Sequence, residues 1–304
     1  MNSIAEKQRA YFLEGHTLPI TARKASLRKL LRLLMDNETH LARAIYKDFR
    51  KSYYVTMENE LSLTYGEINR ALHKLGRWAS PKWYRPNMVN VPARARAFPV
   101  PYGSALVIGP WNYPYMLSLI PVISALAAGN TVVFKPSELT SHSSKGIAEL
   151  INHNFPEELL HVVEGGVSET QELLSQRFDK IFFTGSSRVG RIVMKAAAEH
   201  LTPVTLELGG KNPVIVLPDC NIKMAAKRIA WGMLHNNGQA CVSPDHVYVH
   251  ASIKGLLLQE MKNALEHILK GDARRCDILP RIINEVNFER LESMIDPGKV
   301  YTGG

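Results

Sequence analysis

Beyond Tyr102 the chain alternates between short apolar runs and amphipathic stretches, and this pattern constrains the fold more than any other feature. The runs fall at Ser104–Ile108, Thr131–Phe134, His161–Val163, Lys180–Phe183 and Val204–Leu208. Helical spacing fills the gaps, at about Tyr115–Ala128, Ser144–Asn154, Glu169–Ser175 and Val189–His200. Strands that alternate with helices imply right-handed crossovers and a mostly parallel, doubly wound sheet. After Gly210 the pattern restarts: Asn212–Leu217 and His246–Val249 as strands, Ile222–Leu234 and Ile253–Leu269 as helices. The fold class is therefore α/β, a doubly wound parallel sheet followed by a second α/β unit. The tail, through Asp296-Pro297-Gly298, shows no closing element.

Ahead of this pattern, Ile4 to about Trp78 is helical. Leu27, Leu30, Leu31 and Leu34 mark one face, Ala42, Ile45 and Tyr46 another, and Glu58, Leu61, Tyr65 and Ile68 a third, at the spacing of amphipathic helices. Pro81, Pro86, Pro92, Pro99 and Pro101 then punctuate an extended stretch in which Val89, Val91, Ala93, Ala95 and Ala97 alternate with other residues. Alternation predicts strand there, and the prolines confine it to sheet edges.

A chain of 304 residues with 45% hydrophobic and 21% charged residues is long enough for two domains and too apolar to be disordered. Its net charge of +9 is spread singly, apart from short clusters at Arg23–Arg32 and Arg94–Arg96. No aromatic-interleaved basic patch points to nucleic acid. Cys220, Cys241 and Cys276 form no disulfide framework and no C-x-x-C metal site, so no metal is expected and a reducing, cytoplasmic compartment is. The N-terminus lacks the apolar core of a signal peptide. The most apolar stretch, Tyr115–Phe134, is broken by Pro121 and Gly129-Asn130. It predicts a buried helix, a turn and a strand, and no membrane span.

Several short segments carry the chemistry. Gly109-Pro110-Trp111-Asn112-Tyr113-Pro114 follows a strand, at the carboxyl edge where open α/β sheets bind ligands. Asn112 offers a neutral donor to a developing oxyanion; taken alone, an Asn flanked by Pro and Gly is more often a turn residue. Lys135 and Glu138, in F-K-P-S-E, can grip ribose hydroxyls or stand solvated at a strand end. Phe183-Thr184-Gly185-Ser186-Ser187-Arg188-Val189-Gly190 runs from strand to helix, where Gly185 permits a tight turn and the helix start suits a pyrophosphate. Glu207, in L-E-L-G-G-K, ends an apolar strand, where an acid is costly unless it is paired, protonated or functional. Cys241, in N-N-G-Q-A-C, follows a glycine-containing loop that suits an accessible thiolate. A cysteine nucleophile with a carboxylate base is a coherent pair for acyl chemistry.

Taken in order, G-P-W-N-Y-P, V-V-F-K-P-S-E, F-F-T-G-S-S-R-V-G, L-E-L-G-G-K-N-P and N-N-G-Q-A-C resemble the successive signatures of the aldehyde dehydrogenase superfamily. The short N-terminal region and the W-N-Y-P form are similar to the class 3-like branch, which handles fatty and aromatic aldehydes. The resemblance implies NAD(P)-dependent oxidation of an aldehyde to an acid through a cysteine thiohemiacetal and a thioester. Cys241 matches the family nucleophile and Glu207 the base that activates the hydrolytic water. Asn112 matches the oxyanion donor, acting with the backbone N–H of Cys241. Lys135 and Glu138 match contacts to the adenosine ribose, Gly185 and Ser186 the loop under the pyrophosphate, and Val189 a residue beside the adenine. NAD is favoured, since Glu138 accepts from a 2′-hydroxyl and repels a 2′-phosphate; Lys135 softens that repulsion, so NADP is admitted.

The resemblance also implies a domain plan. Residues 1–84 and 103–209 form a Rossmann-like NAD(P)-binding domain, 85–102 a bridging excursion used in oligomerisation, and 210–304 the N-terminal part of a catalytic domain. The family's E-x-F-G-P and N-P-F-G-G segments are not in this sequence, so it is expected to be the front two-thirds of such an enzyme, with an incomplete catalytic domain and apolar strand faces left bare. The resemblance implies a dimer, or a tetramer, in full-length relatives, with a homodimer expected through the excursion, whose partner strands are absent here. Two alternatives accompany this expectation: a thiol esterase using the same Cys241, Glu207 and Asn112, and a non-catalytic, dinucleotide-binding remnant.

Overall fold

A computed structural model describes residues 3–303. The N-terminal helices are α1 (Ile4–Leu13), α2 (Ile20–Asp36), α3 (Glu38–Phe49), the short α4 (Tyr53–Thr56) and α5 (Ser62–Trp78). Between α4 and α5 the chain makes a π turn at Met57–Leu61. That turn corrects one expectation. The extra residue rotates the next helical turns, so Glu58 is exposed while Glu60 is fully buried beside Leu61, Thr64 and Ile68. On α3, Ala42 and Ile45 are buried but Tyr46 is half exposed, because the helix turns Leu41 and Phe49 inward instead.

The antiparallel pair β1 (Lys82–Tyr84) and β2 (Ala95–Ala97) makes up the proline-rich excursion. The strand expected from Val89 onward begins only at Ala95. Asn87 caps a short 3-10 turn at Met88–Asn90, and Pro92 has no N–H to give a ladder. Met88, Val89, Val91, Phe98 and Val100 all face solvent.

The main sheet consists of β3 (Ser104–Ile108), β4 (Thr131–Lys135), β5 (Leu160–Val162), β6 (Lys180–Gly185) and β7 (Val204–Leu208). All five are parallel, in the order β5-β4-β3-β6-β7. The crossover helices are α6 (Met116–Ala128), α7 (Ser141–Asn152), α8 (Val167–Ser175) and α9 (Ser187–Ala198). Because side chains alternate across a strand, Val107, Val132 and Phe134 pack on one face with α2, α3, α5, α6 and α7. Leu106, Ile108, Val133, Ile181 and Phe183 pack on the other with α1, α8 and α9. The sheet is thus doubly wound, as expected. Burial of each such side chain contributes about 1.5–3 kcal/mol.

The second unit pairs β8 (Asn212–Val216) with β9 (Pro244–Val249) in parallel, joined through α10 (Ile222–Leu234) and followed by α11 (Lys254–Leu269). Val214, Val216, Val247 and Val249 pack with Ala226, Ile229 and Leu257. On the opposite face the cross-strand neighbours Ile215 and Tyr248 are 70% and 63% exposed, the bare apolar face anticipated for this unit. Among the described residues, the tail beyond Asp296 is exposed and adds no closing element, but the segment ahead of it holds features the sequence did not predict. Leu279 and Ile283 are buried, and α12 (Glu285–Glu292) follows them. No helix among the described residues is long and apolar enough to cross a membrane.

The start of β3 is fixed by one close approach. Gly103 has φ +134°, and an added Cβ would lie 2.2 Å from Asp179 Oδ2. That same carboxylate accepts from Ser104 N at 3.0 Å, and its other oxygen pairs with Arg9 at 2.6 Å. Gly103→Ala should lower stability by about 1–3 kcal/mol. Gly76→Ala, inside α5 with nothing within 4 Å of the new carbon, should raise it by about 0.5–1 kcal/mol. Urea unfolding of both variants checks this; equal midpoints would refute the close approach as the anchor of β3.

Candidate functional site

The carboxyl ends of β3, β4, β6 and β7 lie along one edge of the main sheet. Beyond β3, Gly109 N donates to Lys135 O at 2.9 Å, extending the ladder past the end of the strand. This brings the Gly109–Asn112 loop beside Lys135. The Lys135 side chain is 1% exposed, with Nζ donating to Pro136 O at 2.7 Å and standing 4.0 Å from half-exposed Glu138. The solvated alternative for this lysine is therefore excluded. Burial pushes its ammonium down from the usual lysine range, against the pull of Glu138 and Glu169.

The β6–α9 junction is built differently from expectation. Gly185 has no left-handed backbone; an added Cβ would meet the Phe183 ring at 2.6 Å. Its glycine is needed for close approach, not for a tight turn. Ser186 caps α9, its hydroxyl accepting from Val189 N at 3.3 Å. Val189 itself packs partly into the core behind the sheet.

Glu207 corrects another expectation. It lies on β7, an edge strand, in register with Thr184, and its side chain is exposed. No burial cost applies to it. Three residues on, Gly210 lies so close to the cysteine loop that an added Cβ would sit 2.4 Å from Cys241 O. Asn212 Nδ2 donates to Cys241 O at 2.8 Å and to Ser243 O at 3.0 Å. The L-E-L-G-G-K-N segment thus backs the loop that carries the half-buried Cys241.

That loop starts in a turn where Asn236, Asn237 and Gly238 take φ of +51°, +54° and +72°. Asn and Gly are the residue types that tolerate this region. Asn112 Nδ2 donates to Gln239 O at 2.9 Å, two residues before Cys241. Asn236 Nδ2 donates to the same carbonyl at 3.1 Å and to Asn112 O at 3.0 Å. Gln239 Nε2 donates to Arg281 O at 3.0 Å, while its Oε1 accepts from Ile283 N at 3.1 Å. Asn112 and Cys241 are therefore drawn to one place, with the 280–283 segment clamped behind them.

Lys51 and Glu60 carried no signature in the motifs, yet both side chains are fully buried in this region, 2.6 Å apart. Glu60 Oε2 accepts from Tyr115 N and Met116 N, and Lys51 Nζ donates to Asn112 O at 3.1 Å. Burial pushes the carboxyl up and the ammonium down, and each is drawn back by the other's charge. Glu60 accepts two N–H bonds at the start of α6, which favours the ionised pair. The Tyr113 ring lies 4.4 Å from Lys51 Nζ and stacks on His235 at 6.1 Å. Burial, then the charges of Glu60 and Cys241, push the Tyr113 hydroxyl up. No sequence signal marked Glu60, which the π turn joins to Thr64 and Ile68 on the buried face.

Comparison with known proteins agrees with this architecture. The model of the aldehyde dehydrogenase family matches residues 1–302. Aldehyde dehydrogenase family 3 member A2 of Pongo abelii is 39% identical over 296 residues, 97% of this chain and 61% of that protein. The dimeric NADP-preferring aldehyde dehydrogenase of Canis lupus familiaris is 38% identical over 304 residues, 100% of this chain and 67% of that protein. The substrate-bound AldH of Staphylococcus aureus superposes with a TM-score of 0.93 at 39% identity, covering 97% of this chain and 65% of that one. The chain thus spans 61% to 67% of the length of these relatives. It belongs to the aldehyde dehydrogenase family.

Proposed function

We propose that this chain carries the site for NAD(P)-dependent oxidation of an aldehyde to a carboxylic acid. The carrying observation is the hydrogen bond from the Asn112 side chain to Gln239 O, which ties an amide donor to the cysteine loop at the ligand-binding edge of a doubly wound sheet. Cys241 attacks the aldehyde carbon as thiolate. Asn112 Nδ2, which has a second hydrogen to give, and the Cys241 backbone N–H stabilise the oxyanion. Loss of hydride from that carbon leaves a thioester on Cys241. Glu207, exposed three residues before Gly210, takes the proton of the water that hydrolyses the thioester and releases the acid.

Residues 1–84 with 103–209 form, on this reading, the dinucleotide-binding domain, 85–102 the excursion through which two copies pair, and 210–304 the nucleophile-bearing unit. The donors present suit a dinucleotide. Buried Lys135 spends one of its three hydrogens on Pro136 O and has Glu138 beside it, a donor and an acceptor for a ribose diol. The N-terminus of α9, opened by Gly185 and Ser186, favours a pyrophosphate, and Val189 borders the adenine side. When bound, the nicotinamide accepts the hydride. Glu138 favours NAD, with NADP admitted by Lys135. The free thiols Cys220, Cys241 and Cys276 suit the reducing cytoplasm.

Purified protein given NAD and hexanal should form NADH, followed by absorbance. Cys241→Ala should abolish this, and Asn112→Ala should lower kcat by about 100-fold or more. Aldehyde oxidation at the parental rate in Cys241→Ala would sink the reading. A folded parent that forms no NADH would confine the chain to ester hydrolysis or dinucleotide binding. Gly210→Ala, which must displace Cys241 O, should slow acylation of Cys241 by p-nitrophenyl acetate about tenfold or more. Gly255→Ala, with nothing within 4 Å of its new carbon, should leave acylation unchanged.

A further inference from the structure

Lys51 and Glu60 have no place in the aldehyde chemistry itself, yet they are fully buried charges whose bonds converge on the segment that holds Asn112. We propose that they are a positioning pair: through Asn112 O, Tyr115 N and Met116 N they fix the loop that aims the oxyanion donor at Cys241. The inference rests on the roles assigned to Asn112 and Cys241 in the proposed function.

Asn112 O accepts from Lys51 Nζ at 3.1 Å and from Asn236 Nδ2 at 3.0 Å. One carbonyl thus joins α3's end, the donor residue and the turn before the nucleophile. Three residues on, Glu60 Oε2 accepts from Tyr115 N at 3.1 Å and Met116 N at 2.8 Å, capping α6 from outside. Pro114 stands between these anchors with no N–H of its own. The segment is therefore pinned at both ends by the two partners of one ion pair.

The ammonium also faces the Tyr113 ring at 4.4 Å and the Phe49 ring at 5.0 Å. Each of these neighbours is an acceptor or a π face, as a cation requires. A pair kept for stability alone is replaceable by apolar residues of similar volume, often without loss. What apolar residues cannot replace is the set of bonds to these backbone atoms. Displacing a catalytic group by about 1 Å can cost two orders of magnitude in rate, so the pair acts on chemistry through Asn112 without touching substrate.

The test compares two reactions of Cys241 in Lys51→Met, Glu60→Gln and the double variant Lys51→Met/Glu60→Met. Acylation by p-nitrophenyl acetate generates an oxyanion; alkylation by iodoacetamide does not. Expected is a loss of acylation of roughly 10- to 100-fold with alkylation held within about threefold. The double variant, having no unpaired buried charge, should regain much of the melting temperature lost by the single variants without recovering acylation, which keeps the test valid if the single variants fold poorly. Acylation and alkylation falling in the same proportion, or neither changing, would overturn the positioning role. Hydrogen exchange of the amides at 110–117 gives a readout independent of turnover. If the parent shows no Cys241-dependent acylation, the proposed function fails by itself. Faster exchange at 110–117 in the double variant still supports the pair, and parental exchange there overturns it.

Discussion

The Lys51–Glu60 ion pair is the contact on which the geometry around Asn112 depends. Taking two charges out of water costs several kcal/mol per ion, and only good geometry with every remaining hydrogen bond made offsets it. Those conditions reach far along the sequence. The π turn at Met57–Leu61 must rotate Glu60 inward. Arg50 must take a left-handed φ of +56° to end α3 and turn the chain into Lys51. The peptides from Asn112 to Met116 must arrive where both partners can hold them. Losing one partner leaves a buried charge, a penalty of about 3–5 kcal/mol. The N-terminal helices, remote in sequence from the motifs, are thereby coupled to the site.

Around that pair the parallel sheet supplies the frame. Each strand ends at the same edge because each crossover returns the chain in the same direction. The bond from Gly109 N to Lys135 O carries β3 and β4 one step beyond their ladder. It brings the loop holding the amide donor beside the loop holding the buried lysine. Gly185 serves this edge through the close approach of the Phe183 ring. A side chain there would displace the Phe183 ring from the core behind the sheet, next to the start of α9 that Ser186 caps.

The main elements were legible because their causes are local. Apolar runs such as Ser104–Ile108 and Thr131–Lys135 are buried along their whole length, and a strand covered on both faces has to be apolar throughout. The places of Gly109, Asn112 and Gly185 were legible for a similar reason, since their motifs stand where a strand hands over to a helix. Glu60 was not, because a π turn shifts the helical period by a residue and leaves no mark in composition. Glu207 was misjudged as a costly acid because an apolar run does not say which strand lies at the edge; the order β5-β4-β3-β6-β7 does. Docking of the tail was invisible because backbone groups carry much of it, Arg281 N to Phe49 O at 2.7 Å and Asn237 Nδ2 to Pro280 O at 3.2 Å. Backbone donors and acceptors are the same in every sequence.

The second unit shows why such bonds matter for Cys241. A two-stranded sheet is marginal without packing on its faces, and the β8–β9 pair is covered on one face only, with Ile215 and Tyr248 bare on the other. Its small core cannot by itself fix the cysteine loop within the tolerance that the proposed acyl chemistry demands. The cysteine loop is held instead from several directions: by Asn112 through Gln239 O, by Asn212 through Cys241 O, and by the 281–283 backbone through the Gln239 side chain. Asn112 is itself set by Lys51. The placement of Cys241 is therefore a property of the junction between the two units more than of the unit that carries it. Variants at that junction should disturb reactivity before they disturb the core of either part.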